Sequence, residues 1–377
     1  MSPEEPSAGK GRVRVLHVLK SLGLGGTEKV AQLFLAHLDQ ARFETAVHSP
    51  EDGPRAGQIR AGQIVGGGSA TFVGMGLAKA LAAFRPQIIH LHRAGWPEPD
   101  FLRPVRDYVA RNPATVVVET NVFGRHDPSP SGAVIDAHLF VSHFCAGRFA
   151  RHTGIAPDWP RYGVLYNPVD TDFFAAALPE GPAAGPRAQG PVLGRVSRAD
   201  PGKWSRLALD ILPRIARELP DFRYRVIGGI PEAEAFVRER GLSANVEFLP
   251  PVSTDAELAA FYGGLAVLAH ANDTGESFGL VIAEAMACGL PVVTHPCPDE
   301  RDNAQLELVE HGVTGFVAAH AEEYAAAVLR LLREPELARA MGRAGRAKAA
   351  RLFRAQDVAA RLGDMYLELL ARKGREA

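Results

Sequence analysis

Two glutamates eight residues apart, Glu276 and Glu284, flank the start of a run with no other charge. The segment Leu280–Cys288 is apolar on every side except at Glu284 and is closed by Gly289-Leu-Pro291, the pattern of a buried helix with a glycine stop. A carboxylate inside such a helix is strongly unfavourable unless hydrogen-bonded, so Glu284 must meet a protein donor or a ligand bearing hydroxyl groups, and a ribose bears two. Were Glu276 on the same helix, the two carboxylates would be about 80° and about 12 Å apart, too far to share one small target. Gly275-Glu-Ser-Phe-Gly279 reads instead as the loop entering the helix, whose free N–H groups and positive dipole end suit a diphosphate. A nucleoside diphosphate sugar has the length to place one glutamate on either side of its phosphates.

Two further loops carry the residue types that such a ligand needs. Gly194-Arg-Val-Ser-Arg-Ala-Asp-Pro-Gly-Lys203 follows a strand, and its arginines and lysine could pair with a diphosphate. Gly23-Leu-Gly25-Gly26-Thr27-Glu28 is a strand-to-helix turn in which missing side chains let backbone approach a phosphate or an acceptor.

The stretch from Glu276 to Val293 resembles the signature of family 4 glycosyltransferases of the GT-B fold. The resemblance implies a retaining, nucleotide-sugar-dependent glycosyltransferase. It implies that Glu284 binds the ribose hydroxyls, that Glu276 binds the donor sugar's hydroxyls, that the backbone N–H groups of Phe278, Gly279 and Leu280 receive sugar and diphosphate, and that Ser277 also lies at the donor. Gly25 and Gly26 match the family's first-domain glycine motif. Arg195 aligns with the family arginine and Lys203 with its lysine, but a three-residue insertion leaves Arg198 as a rival to Arg195. Val164–Phe173 resembles the stretch that ends the first domain, and Val246–Val252 the segment whose backbone reads the base. Asn121 stands where the family commonly carries a histidine beside the reacting carbon; an amide can bind a sugar hydroxyl but cannot act as acid or base. Pro296–Asn303 is longer and more charged than the family's turn.

The resemblance further implies no cofactor and no metal site: the donor is a substrate carried on UDP or GDP, and no Asp-x-Asp stands at a strand end. The proposed chemistry is front-face attack, with the departing diphosphate stabilised by Arg195, Lys203 and the helix terminus. The acceptor is unspecified, whether small molecule, glycan or lipid-linked. A catalytically silent sugar-nucleotide-binding protein and a nucleotide-sugar epimerase remain open alternatives. A dinucleotide dehydrogenase is a poor match, because no acidic residue follows the glycine loop at the end of a second strand.

Positioning these loops requires alternating strands and helices. Apolar strand segments at Arg12–Leu19, Thr45–His48, Ile88–Leu91, Thr115–Glu119, His138–Val141 and Val164–Tyr166 alternate with helical segments at Glu28–Leu38, Met75–Phe84, Phe101–Ala110 and Phe144–Thr153. The alternation resumes at Val192–Val196 and runs past Glu322, with a helix over Ser205–Glu218. The alternation implies an α/β fold of two Rossmann-like doubly wound parallel-sheet domains facing a cleft, which the resemblance identifies as GT-B. The Ala/Gly/Pro-rich stretch 174–190 is the expected linker between a domain over 1–173 and one over 191–350, with a helix over 351–377 expected to cross back to the first; the resemblance implies that the first is acceptor-side and the second binds the nucleotide sugar. Acceptor-pocket loops are expected at Pro50–Gly68 and Gly124–Gly132, without a recognisable code.

The chain has 377 residues, 46% apolar and 23% charged, with a formal net charge of −1, so no overall field attracts nucleic acid. Its three cysteines show no metal or redox spacing and read as reduced thiols. No run of about 18 apolar residues occurs, and the polar N-terminus is no secretory signal, so cytoplasmic residence is the expectation.

Overall fold

A computed structural model of the protein describes residues 11–60, 70–176 and 190–376. The expected linker 174–190 lies outside them except at its ends, as does most of the second half of the 50–68 loop. Two compact units are present, each described by itself: residues 1–139, 157–163 and 359–377 form one, and 140–156 and 164–358 the other.

The first unit is built on β1 (Val13–Val18), β2 (Phe43–Ser49), β3 (Ala70–Val73), β4 (Ile88–Arg93), β5 (Val116–Asn121), β6 (Ala137–Phe140) and β7 (Tyr162–Val164). The sheet order is β3-β2-β1-β4-β5-β6-β7, with β2–β3, β1–β2, β1–β4 and β4–β5 paired in parallel. The central strands are buried along their whole length, which is why they read as near-continuous apolar runs. Leu16, Val18, Leu91 and Val117 pack with Leu102 and Val105 of the helix Pro99–Arg111. The final helix, Ala355–Glu376, belongs to this unit from Ala359 onward, and its Tyr366 is fully buried.

Three histidines sit inside that core. His17 on β1 lies opposite His90 on β4 in the parallel register, and His92 follows two residues later on the same face. His17 Nδ1 and His92 Nε2 are 2.9 Å apart, and the rings of His90 and His92 stack at 4.5 Å. His90 Nε2 meets Thr120 Oγ1 at 2.7 Å and its Nδ1 meets the Tyr366 hydroxyl. Burial, reinforced by mutual repulsion, lowers the pKa of His17 and His90 well below the ordinary value, and burial brings His92 to about 3.

The second unit contains β8 (Val192–Val196), β9 (Arg223–Ile227), β10 (Val246–Leu249), β11 (Val267–Ala269), β12 (Val292–Thr294) and β13 (Gly315–Val317), in the order β10-β9-β8-β11-β12-β13. Every pair is parallel. This is the doubly wound order in which β8 and β11 bracket the point where strand order reverses, so the loops after them form the binding edge of this sheet.

Several elements differ from the sequence expectation. The helix expected over 205–218 is two pieces, Leu207–Asp210 and Leu212–Glu218, because Pro213 cannot donate to the preceding turn. The strand expected at 164–166 runs over Tyr162–Val164. The edge strand β3 and the helix Pro54–Arg60 were not anticipated; β3 has four residues, none fully buried, so it leaves little apolar signal. The helix His143–Thr153, expected in the first domain, packs with the second unit. Glu307 accepts from the N–H of His143 at 3.1 Å and from that of Phe144, and Arg148 pairs with Asp302 at 2.6 Å.

Candidate functional site

The loop 275–279 enters the helix Leu280–Ala287 through two left-handed glycines, Gly275 at φ 68° and Gly279 at φ 102°. At Gly275 a Cβ would also lie 1.6 Å from the Asp302 carbonyl oxygen, so both backbone conformation and close approach demand glycine. Gly275→Ala should therefore destabilise the protein by at least about 2 kcal/mol, visible as a lower denaturant midpoint, because strain and a backbone collision add. The side chain of Phe278 is buried, with ring centroids 5.1 Å from Phe353 and 6.0 Å from Tyr166. This anchors the loop from below. Among the described residues, no protein acceptor is found for the N–H groups of Ser277, Phe278, Gly279 and Leu280. They form a row of unsatisfied donors at a helix N-terminus, an anion-binding arrangement.

Glu276 leaves this loop into a polar cluster of its own unit. Its Oε1 accepts from Asn272 Nδ2 at 2.7 Å, lies 3.2 Å from Lys203 Nζ and is 3.4 Å from His270 Nε2. Burial alone would raise its pKa, but hydrogen bonding from His270 and the charge of Lys203 outweigh that and lower it to about 2. His270 itself is shifted down, burial exceeding the pull of Glu276. The cluster is thus a fixed carboxylate beside one ammonium and a neutral imidazole. Gln305 holds the loop from outside, accepting from the Glu276 N–H at 3.1 Å and donating to the His295 carbonyl at 3.1 Å.

Glu284 lies 2% exposed within its helix, and Tyr262 Oη approaches its Oε2 at 3.3 Å. The same hydroxyl lies 3.0 Å from the Val281 carbonyl oxygen. A protein donor for Glu284 therefore exists, one of the two outcomes that the sequence left open.

Arg195 departs from the expectation that it meets a ligand. It is 1% exposed, stacked over Trp204 with Cζ 4.3 Å from the ring, and it donates to the Ala271 carbonyl at 2.6 Å and to the Lys203 carbonyl. Its guanidinium ties the 203–204 loop to the end of β11, so it positions Lys203 in this structure rather than presenting charge of its own. Arg198 is exposed on the same loop.

Residues that sequence reasoning did not assign also shape the site. His270 and Asn272 follow a parallel strand at its carboxyl end, a position that marks them as candidates. Ser142 and Glu307 gave no such signal. Ser142 Oγ donates to the Ser277 carbonyl at 2.7 Å, across 135 residues of sequence.

In the first unit, Gly25 is the N-cap of the helix Gly26–His37 and has no side-chain cap bond. Glu28 folds back over this turn and accepts from Ser21 Oγ at 2.9 Å. Asn121, at the end of β5, is 1% exposed and committed to its own turn. Its Nδ2 donates to the Arg125 carbonyl at 2.7 Å, and its Oδ1 accepts from the Arg125 N–H at 3.2 Å. A third contact reaches Glu119 at 3.3 Å. The expectation that this amide faces a sugar is not met as placed, because a reciprocal clamp on Arg125 occupies it.

Among the described residues one group gathers three possible metal ligands, His17, His90 and His92, whose atoms lie within 4.8 Å. The ring nitrogens of His17 and His92 face each other at hydrogen-bonding distance and both nitrogens of His90 are engaged, which describes a hydrogen-bonded stack rather than a coordination sphere. None of the three buried cysteines forms a disulfide, and burial raises Cys145 and Cys288 to about 12. No described helix is long and apolar enough to cross a membrane.

Comparison with known proteins places these features. Residues 190–334 match the family described as glycosyl transferases group 1. The GDP-mannose-dependent alpha-(1-6)-phosphatidylinositol monomannoside mannosyltransferase of Mycolicibacterium smegmatis is 33% identical over 230 residues, 56% of this chain and 56% of the relative. The D-inositol 3-phosphate glycosyltransferase of Mycobacterium avium is 40% identical over 154 residues, 38% of this chain and 35% of the relative. The chain thus spans little more than half the length of the first of these curated relatives and about a third of the second. The crystal structure of Anabaena HepE with UDP and glucose superposes with a TM-score of 0.73 at 19% identity, covering 95% of this chain and 100% of that one. A glycosyltransferase structure from Rickettsia africae gives 0.75 at 15%, covering 96% and 99%. With two parallel-sheet units and these neighbours, the chain has the two-domain Rossmann-like GT-B fold, and its residues 190–334 resemble the group 1 glycosyl transferases.

Proposed function

We propose that the protein is a glycosyltransferase that moves a sugar from a nucleoside diphosphate carrier, GDP or UDP, to an acceptor hydroxyl with retention of configuration and without a metal. The observation that carries this reading is the row of unsatisfied N–H groups at Ser277–Leu280, with Lys203 and the ionised Glu276 beside it. The diphosphate takes the N–H groups and the lysine, Glu276 accepts from donor-sugar hydroxyls, and Glu284 receives the ribose. In the transfer step the bond from the anomeric carbon to the phosphate oxygen breaks as the acceptor oxygen bonds to that carbon on the same face. The acceptor proton passes to the leaving phosphate oxygen, and the N–H groups and Lys203 stabilise its charge. Among the relatives' substrates, GDP-mannose is consistent with the donor and an inositol-containing acceptor with the nucleophile. Arg195 supports Lys203 through its carbonyl, and Asn121 fixes a turn.

Titration calorimetry with GDP-mannose, UDP-glucose and the bare nucleotides tests donor binding. At least one sugar nucleotide should bind, and Lys203→Ala should weaken it about 10-fold or more through loss of a charge-assisted contact. Absence of binding by all of them would sink the reading. Binding without transfer, donor hydrolysis or epimerisation would instead identify a silent binding protein, a reading favoured by the occupied amide of Asn121.

A further inference from the structure

The first unit carries a cation and an aromatic face that the donor reading leaves unused. Trp96, in the loop after β4, is 50% exposed, and the Arg125 guanidinium from the loop after β5 stacks on it at 4.9 Å. Both loops leave the carboxyl ends of adjacent parallel strands, the edge where this architecture binds ligands. The surrounding carboxylates already have cations. Arg93 lies 3.4 Å from Glu98, 3.3 Å from Glu119 and 3.0 Å from Asp127, while Lys20 also meets Glu98 and His138 meets Glu119. Arg125 is the exception. It is half-buried, its Nε is buried without an acceptor, and among the described residues no carboxylate pairs with it.

The pair is also held in place. Asn121 clamps the Arg125 backbone from both sides. Arg93 donates to the Trp96 carbonyl, and Gly95, at φ 85°, packs so closely that a Cβ there would lie 2.5 Å from the Asn121 amide nitrogen. A partly desolvated guanidinium with no counter-ion, fixed beside an exposed indole, suits a ring whose C–H face stacks on the tryptophan and whose anionic group takes the arginine's fork. A phosphate meets that fork best.

We infer that Trp96 and Arg125 form the acceptor subsite and take a phosphate-bearing cyclic polyol or sugar, either free or as the headgroup of a lipid. This rests on the glycosyltransferase reading and adds to it the residues that hold the acceptor and the phosphate by which they select it. Asn121 then serves as a positioning residue for Arg125.

Calorimetry without donor tests it, with D-inositol 3-phosphate, unphosphorylated inositol, and phosphatidylcholine vesicles with or without phosphatidylinositol. The wild-type chain should bind one phosphate-bearing probe about 10-fold or more tighter than its phosphate-free counterpart. Arg125→Gln should erase that preference, and Trp96→Ala should weaken polyol binding whether or not phosphate is present. Sugar-nucleotide affinity should be equal in all three proteins, which separates failure here from failure of the donor reading. Preference for the soluble phosphate assigns a free acceptor, and preference for the phosphatidylinositol vesicles assigns a lipid headgroup. The inference is overturned if no phosphate-bearing probe binds, or if both variants bind every probe as the wild type does.

Discussion

Replacing Glu276 with Ala should reduce sugar transfer about 1,000-fold, because the proposed function gives it two charge-assisted hydrogen bonds to donor hydroxyls, each contributing about 1.5–3 kcal/mol. The fold should survive. Lys203 is a quarter exposed, so its ammonium can be solvated when its partner is removed, and Asn272 and His270 are neutral hydrogen-bonding groups. Glu276→Gln is the sharper probe, since it preserves shape while offering one acceptor in place of two and no charge. Its transfer rate should fall about 100-fold with an unchanged circular dichroism spectrum. Full turnover by either variant would remove Glu276 from the reaction. The carboxylate's depressed pKa means that its stabilising contribution is present above the unfolded value near 4.5 and is lost as pH falls toward about 2. Glu276 is consequently ionised throughout the neutral and mildly acidic range, and an activity loss between pH 7 and 5 cannot come from its protonation.

Acidification should also act on the other unit. His17, His90 and His92 are held neutral in the folded core, yet each takes up a proton near pH 6.5 once the chain unfolds. Their folded pKa values are lowered, so the stability they confer relative to the protonated chain is complete above 6.5 and is lost as pH falls below it. Between pH 7 and pH 5.5 the three together should cost about 4 kcal/mol, an uptake of nearly three protons on unfolding. Urea unfolding at the two pH values reads this directly, and His92→Leu should reduce the proton uptake by about one. An unfolding free energy that stays level across this interval would show that the stack is protonated or open in the folded protein.

The repeating units of the fold were legible because strands buried on both faces are apolar runs and their helices carry a 3.6-residue pattern. The glycines and the two glutamates around the start of the helix Leu280–Ala287 were legible for a related reason: a lone carboxylate in an apolar helix, and glycines bracketing it, are anomalies that composition exposes. Side-chain direction was not. Arg195 sits on a strand whose residues alternate between two buried faces, and nothing in the sequence says that its guanidinium turns inward onto Trp204. Asn121 was read against a resemblance, whereas its local role depends on a turn that returns Arg125 to within hydrogen-bonding distance. The His17–His90–His92 stack joins residues 75 positions apart, and only the reversal of strand order beside β1 brings them together.

The chain enters the second unit at Phe140, leaves it after Ala156, re-enters at Val164 and leaves again after Val358. A single cut within 174–190, where the sequence suggested a linker, therefore does not separate the two units. A fragment beginning at Pro191 would lack Ser142 beneath the Ser277 carbonyl and would leave Glu307 without the helix terminus that it caps. If the proposed donor site is correct, exchange of its specificity by grafting must transplant these separate stretches of sequence together, and recombination at the 174–190 boundary is expected to yield insoluble or donor-blind chimaeras.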